Sequence, residues 1–142
     1  MRSLYEPILF WYALGMKENI LTVQIQRPLS VVLSFVLNPK NTPQWISSIV
    51  EEQTSEWPVK NGTRYRNQNT SGQWNTYLLR DLTETGFTMD QEGSAYHVRY
   101  TLTPVGNGET KLTYTEWVDE GDIAEPFTSD ILDVLKACVE NA

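Results

Sequence analysis

The stretch from Ala95 to Val118 constrains this chain more than any other. Tyr96, Val98, Tyr100 and Leu102 alternate with His97, Arg99, Thr101 and Thr103. After Val105-Gly106-Asn107-Gly108-Glu109, Leu112, Tyr114 and Val118 keep the same spacing. A period of two belongs to a strand with one buried face. Asn107-Gly108 supplies the positive φ that a tight hairpin turn needs at its centre. Two long antiparallel strands are therefore expected, and the rest of the chain must be organised around them. One residue breaks the pattern: Glu116 stands where the buried face calls for an apolar side chain.

On the N-terminal side of this hairpin, Ile20 to Gln26 alternates and reads as a first strand ended by Arg27-Pro28. Leu29, Val32, Leu33, Val36 and Leu37 then recur at helical spacing, with Pro28 suited to the first turn and Asn38-Pro39 to the stop. A second short helix is expected at Thr42-Pro43, turning Trp45, Ile46 and Ile49 towards the body. Strands follow at Val50–Trp57, Thr63–Asn69 and Trp74–Leu82, with a short one marked by Phe87 and Met89. Turns at about every ten residues indicate an antiparallel sheet. The face of the Trp74–Leu82 strand is ambiguous, because Tyr77, Leu78 and Leu79 are consecutive. The tail changes period: Phe127, Ile131, Leu132, Leu135 and Cys138 predict a closing helix of about four turns whose apolar stripe lies on the sheet. Residues 19–142 read as one α+β domain of about seven strands. Residues 1–18 read as an N-terminal extension, and Met16 is a candidate true start, since the domain from there onward is whole.

The formal charge of −7 repels phosphate backbones, so nucleic acid is not an expected partner. No basic amphipathic helix points to a membrane surface, and stable membrane insertion is not expected. A single cysteine, Cys138, excludes an internal disulfide and fits a cytoplasmic setting. One His and one Cys cannot build an ordinary structural zinc site, and the sequence calls for no metal and no cofactor. His97 alternates opposite Tyr96 and Val98 and is expected on the convex, solvated face, which removes the usual acid–base residue. Cys138 is expected as a small core residue. Asp119, Glu120, Asp122 and Glu125 precede the closing helix, where negative charge is favourable; a cation or partner site there is the other reading.

Glu116 is the most informative residue. On the concave face its carboxylate is costly unless paired or wet. It is either a pocket acid with a raised pKa, able to anchor a ligand or act as a general base, or a residue turned out by a bulge, or the partner of Arg64, Arg66 or Arg80. Tyr65, Tyr77, Tyr100 and Tyr114 on adjacent strands, with Trp45 and Trp74, make either a pocket wall or a filled aromatic core.

The order of elements, and several words within it, resemble the START-like, or SRPBCC, superfamily. Arg27-Pro28-Leu29-Ser30-Val31-Val32 with Phe35-Val36 is similar to the stretch after its first strand, and Asn41-Thr42-Pro43-Gln44-Trp45 to its short second helix. Val59 to Arg66 resembles its glycine-led strand, and Tyr100 to Pro104 followed by Gly108 to Tyr114 its last hairpin. The resemblance is strongest to the polyketide cyclase/dehydrase-like branch. It implies a helix-grip fold, in which a curved antiparallel sheet wraps a C-terminal helix with two short helices after the first strand. It also implies a pocket between sheet and C-terminal helix for a small hydrophobic or amphipathic molecule. The residues expected to line it are Trp45, Tyr65, Trp74, Tyr77, Met89, Tyr100, Leu102, Tyr114, Glu116, Phe127 and Ile131. Three functions follow from that resemblance: a small-molecule binding protein, a metal-independent cyclase or dehydratase with Glu116 as catalytic base, and a protein-interaction module of the chaperone-activator type. A monomer or a homodimer is compatible with each.

Overall fold

The computed structural model describes residues 15–142. The expectation that residues 1–15 lie upstream of the true start concerns a segment of which residues 1–14 fall outside the described residues. Ten elements follow in order. Strand β1 is Glu18–Ile25, helices α1 and α2 are Leu29–Leu37 and Thr42–Trp45, and β2 to β4 are Ile49–Thr54, Arg64–Asn69 and Trp74–Thr83. Strands β5 to β7 are Gly86–Gln91, Tyr96–Val105 and Glu109–Val118, and α3 is Ser129–Glu140. The sheet is antiparallel throughout, in the order β1-β7-β6-β5-β4-β3-β2. Strands β2 to β7 form a meander. The segment carrying α1 and α2 takes the chain from one sheet edge to the other, and α3 closes it. This is the helix-grip architecture expected from the sequence.

Alternation sets the two faces. In β1, Leu21, Val23 and Ile25 pack into the core while Thr22 and Gln24 are exposed. In the long hairpin, Val98, Tyr100 and Leu102 pair across to Glu116, Tyr114 and Leu112, and all six are buried. Helix α1 contributes Val32, Phe35, Val36 and Leu37, and α3 contributes Leu132, Leu135 and Val139 to the same core cluster. Each such side chain removed from water contributes about 1.5–3 kcal/mol, and the two helices supply enough of them to hold the sheet's concave face closed at one end.

Three local details differ from the sequence reading. The hairpin connection is a three-residue loop between the paired Val105 and Glu109, with positive φ at Gly106 rather than at Asn107. Strand β2 ends at Thr54, short of Trp57, which is exposed. Helix α3 has twelve residues, about three turns at 3.6 residues each, and Phe127 lies just before it.

The ambiguous strand is settled by its pairings. Tyr77 and Leu79 sit opposite Tyr65 and Met89 on the inner face; Trp74, Leu78 and Arg80 face out. The register shifts after Arg80, where Asp81 takes a φ of 55°. Gly86, which follows, is closed to any side chain: a Cβ there would lie 2.0 Å from the Tyr100 carbonyl oxygen. That close approach presses β5 onto β6, where Phe87 and Tyr100 stack at 4.6 Å.

Candidate functional site

The concave face is not filled along its whole length. A cavity of about 240 Å³ lies between the sheet and α2, with Phe127 and Glu125 from the segment before α3 closing one side. This is just under the roughly 300–1,000 Å³ usual for ligand pockets. No residue of α3 reaches it, which corrects the expectation of a pocket against the C-terminal helix. Helix α3 occupies the other end of the concave face, where Leu132, Leu135 and Val139 fill the space.

One wall is aromatic. Trp45 from α2 meets Tyr100 and Phe127 edge-on, at 6.4 and 6.2 Å between centroids. Tyr114 stacks on Phe127 at 4.5 Å and meets Tyr100 edge-on at 5.3 Å. Edge-on and offset pairs are each worth about 0.5–1.5 kcal/mol beyond their burial, and these four hold the rings of the wall against one another. Burial raises the Tyr100 and Tyr114 hydroxyl pKa values well above the ordinary range. Tyr77 is pushed up to about 12, first by burial and then by the nearby Glu52 and Glu116 carboxylates. These phenols stay protonated at neutral pH and are hydrogen-bond donors rather than bases. The Trp45 indole N–H is buried with no hydrogen-bond partner among the described residues.

The opposite wall is polar. Asn67 and Asn69 of β3, Asn75 of β4, Thr42 at the start of α2 and Glu52 of β2 line it. Glu52 is its charged centre. Thr42 Oγ1 donates to Glu52 Oε1 at 2.6 Å, and Asn67 Nδ2 donates to Oε2 at 3.2 Å. Burial raises the Glu52 pKa above the ordinary carboxylate value, against the opposing pull of those two hydrogen bonds. The cause is desolvation of a charge with no compensating cation: no Lys, Arg or His is among the lining residues. Ser48 and Glu125, both exposed, mark the rim.

Of the residues expected to line the pocket, Trp45, Tyr77, Met89, Tyr100, Tyr114 and Phe127 do so. The other five are elsewhere. Tyr65 is fully buried behind the wall, its hydroxyl donating at 2.6 Å to the Leu37 carbonyl and so satisfying the C-terminal end of α1. Trp74 is on the outer face beneath the Arg66 guanidinium, at 4.9 Å. Leu102 is buried in the core beyond the cavity. Ile131 lines a separate shallow groove between α2 and α3, with Pro43 and Val134.

Glu116 is wholly buried and meets none of the three arginines; nor does a bulge turn it out. Tyr96 donates to its Oε1 at 2.6 Å, and Asn19 Nδ2 and the Phe127 backbone N–H donate to its Oε2 at 2.8 and 2.7 Å. Asn19 also donates to the Phe127 carbonyl at 2.9 Å. The carboxylate thus ties β1, β6 and the segment before α3 together, and it lies behind the cavity wall, not in it. The Tyr96 proton is committed to Glu116, so Tyr96 accepts from Tyr114 at 3.4 Å. This links two rings of the cavity wall, Tyr96 and Tyr114, and ties them to Glu116 behind it.

The sequence reading missed the polar wall. Asn67 and Asn69 follow Tyr65 at a spacing of two, and Asn75 precedes Tyr77 by two. Polar residues in phase with an inward aromatic were the available signal.

His97 is on the outer face as expected, but it is not free in solvent. Its Nδ1 meets Asp90 at 2.6 Å, its Nε2 meets Asp119 at 2.7 Å, and its ring stacks on Trp117 at 5.0 Å. Burial pulls its pKa down, but the hydrogen bonds to Asp119 and Asp90 outweigh it and the net direction is up. Arg99 covers the Trp117 ring. The acidic segment is dispersed: Asp119 serves His97, Asp122 lies 3.9 Å from Lys17, and Glu125 stands at the cavity rim. No cluster able to hold a metal ion occurs among the described residues. Cys138 is half-buried at the edge of the core, its thiol 3.7 Å from the Gln44 carbonyl. No helix among the described residues is long and apolar enough to cross a membrane.

The fold recurs in solved structures. The protein XoxI from Bacillus cereus superposes with a TM-score of 0.67 at 11% identity, covering 87% of this chain and 96% of its own. Protein NE0264 from Nitrosomonas europaea gives 0.67 at 14% identity, with 87% and 94% covered. Ara h 8.0201 gives 0.59 at 14% identity, with 90% and 100% covered. At such identities the likeness is one of fold. No curated protein matches the sequence. The model of one sequence family, described as polyketide cyclase / dehydrase and lipid transport, matches residues 21–141. With nearly the whole described domain inside that match, from the first strand to the last turn of α3, the chain belongs to the polyketide cyclase / dehydrase and lipid transport family.

Proposed function

We propose that this chain binds a small amphipathic molecule in the cavity between the sheet and α2. The observation that carries the reading is the division of its wall. Trp45, Tyr100 and Phe127 offer an apolar surface on one side, and Glu52, Asn67 and Asn75 offer hydrogen-bonding groups on the other. Apolar lining with a few convergent polar groups is how small-molecule sites are built. The membership in a family of cyclases, dehydrases and lipid carriers supports ligand binding and leaves the reaction open. Binding is favoured over catalysis by Glu116, because both of its oxygens are engaged by protein donors and it does not line the cavity.

The test is native mass spectrometry of the protein purified from its own cells, followed by titration with the neutral dye Nile red. A retained small molecule, or saturable dye binding that the cavity-filling variant Val98→Phe abolishes, is the expected result. An empty protein that ignores the dye would overturn the reading and favour an interaction module. Catalysis by Glu116 would instead be revealed by a turnover that Glu116→Gln abolishes while dye binding persists.

A further inference from the structure

We propose that the cavity selects organic ammonium ligands on an apolar body and discriminates against carboxylates, with Glu52 as the anchor. This deepens the binding reading and rests on it.

The argument starts from the unused valence of Glu52. A carboxylate offers about four lone-pair sites. One on Oε1 is taken by Thr42 and one on Oε2 by Asn67. One site on each oxygen is left. The residue lines the cavity, which brings its carboxylate within reach of a molecule bound there. No cationic side chain among the described residues lines the cavity to neutralise the charge. An isolated carboxylate out of water is strongly disfavoured, and burial accordingly drives the Glu52 proton affinity up. A cation bearing N–H donors would supply both the missing charge and the missing hydrogen bonds, and such charge-assisted bonds are about twice as strong as neutral ones.

The rest of the wall points the same way. Six rings line the cavity: Trp45, Tyr77, Tyr96, Tyr100, Tyr114 and Phe127. Ring faces attract cations, and tyrosine and tryptophan do so most. The second charged residue at the cavity, Glu125 on the rim, is also an acid. The whole chain carries −7, which draws cations to the entrance and turns anions away. A fatty carboxylate would have to place its head beside Glu52 or leave it in solvent and forfeit the polar wall.

The experiment is isothermal titration of the full chain with three probes of equal length: octylammonium, 1-octanol and octanoate. Octylammonium is expected to bind at least about tenfold more tightly than octanoate, with octanol between them. In Glu52→Gln, octylammonium is expected to lose about tenfold or more while octanol stays within about threefold. Equal binding of octylammonium and octanoate to the wild type would overturn the proposal while leaving the cavity a binding site. So would an unchanged octylammonium affinity in a folded Glu52→Gln. If none of the three binds and Nile red fails as well, the binding reading itself falls and takes this one with it. The wild-type comparison does not depend on the folding of any variant.

Discussion

Glu116 and Glu52 are two carboxylates on the same concave face, and they could hardly be used more differently. Glu116 is on β7, with β1 and β6 on either side, and three donors from β1, β6 and the segment before α3 converge on it. Glu52 is on the edge strand β2, holds two donors, and lines the cavity. The first is a cross-brace and the second an open valence. A carboxylate on the inner face is therefore not by itself a sign of chemistry: what distinguishes the two is how many lone pairs the protein has left unclaimed.

The largest effect expected from this contrast is on stability. Glu116→Ala removes the shared acceptor of three part-buried donors and empties a wholly buried site, and urea unfolding should record a loss of about 3 kcal/mol. A variant as stable as the wild type would remove the brace from the comparison. Glu116→Gln is milder. Its carbonyl can still accept from Asn19 and Phe127, and the Tyr96 hydroxyl can turn to accept from the new amide; the expected loss is about 1 kcal/mol in the same assay.

The pH dependence sharpens the contrast further. The Glu52 pKa is raised on folding, so the folded state holds that proton more tightly than the unfolded chain does. The contribution is complete below the unfolded value near 4.5 and is lost as pH rises through the raised value. Wild-type stability should fall across that window, and Glu52→Gln should flatten the fall, measured as urea midpoints from pH 4 to 8. An identical slope in the variant would mean that Glu52 is not the group responsible.

The smallest effect belongs to the outer face. The His97 pKa is also raised on folding, because Asp119 and Asp90 outweigh its burial. Its contribution is complete below the unfolded value of 6.5 and is lost as pH rises through the folded one. His97→Gln should therefore remove a second, shallower decline that begins near pH 6.5, while leaving ligand affinity unchanged.

Most of the architecture was legible because it depends on period. The bounds of α1 at Leu29–Leu37, the single turn at Thr42, and the inward set Tyr96, Val98, Tyr100 and Leu102 all follow from spacing that no tertiary contact overrides. The site was legible only on its aromatic side. Trp74 and Tyr77 are three apart on a regular stretch of β4, so they cannot share a face, and counting would have separated them. Glu52 was harder. A bulge between Ile49 and Glu51 lets Ile49 and Glu52, also three apart, both reach the cavity. Within Val-Glu-Glu-Gln no pattern of hydrophobicity announces such a bulge, because it is set by the pairing of β2 with Asn69 and Gln68 of β3.

The position of β2 at the sheet's edge has a consequence in time rather than in energy. β2 has one hydrogen-bonded neighbour and β7 has two. Amide exchange should therefore be fast along Ile49–Thr54 and slow along Glu109–Val118. On that expectation the wall that carries Glu52 would open ahead of the core, and the guest proposed for the cavity would come and go on the edge strand's clock while the brace at Glu116 keeps the clock of global unfolding.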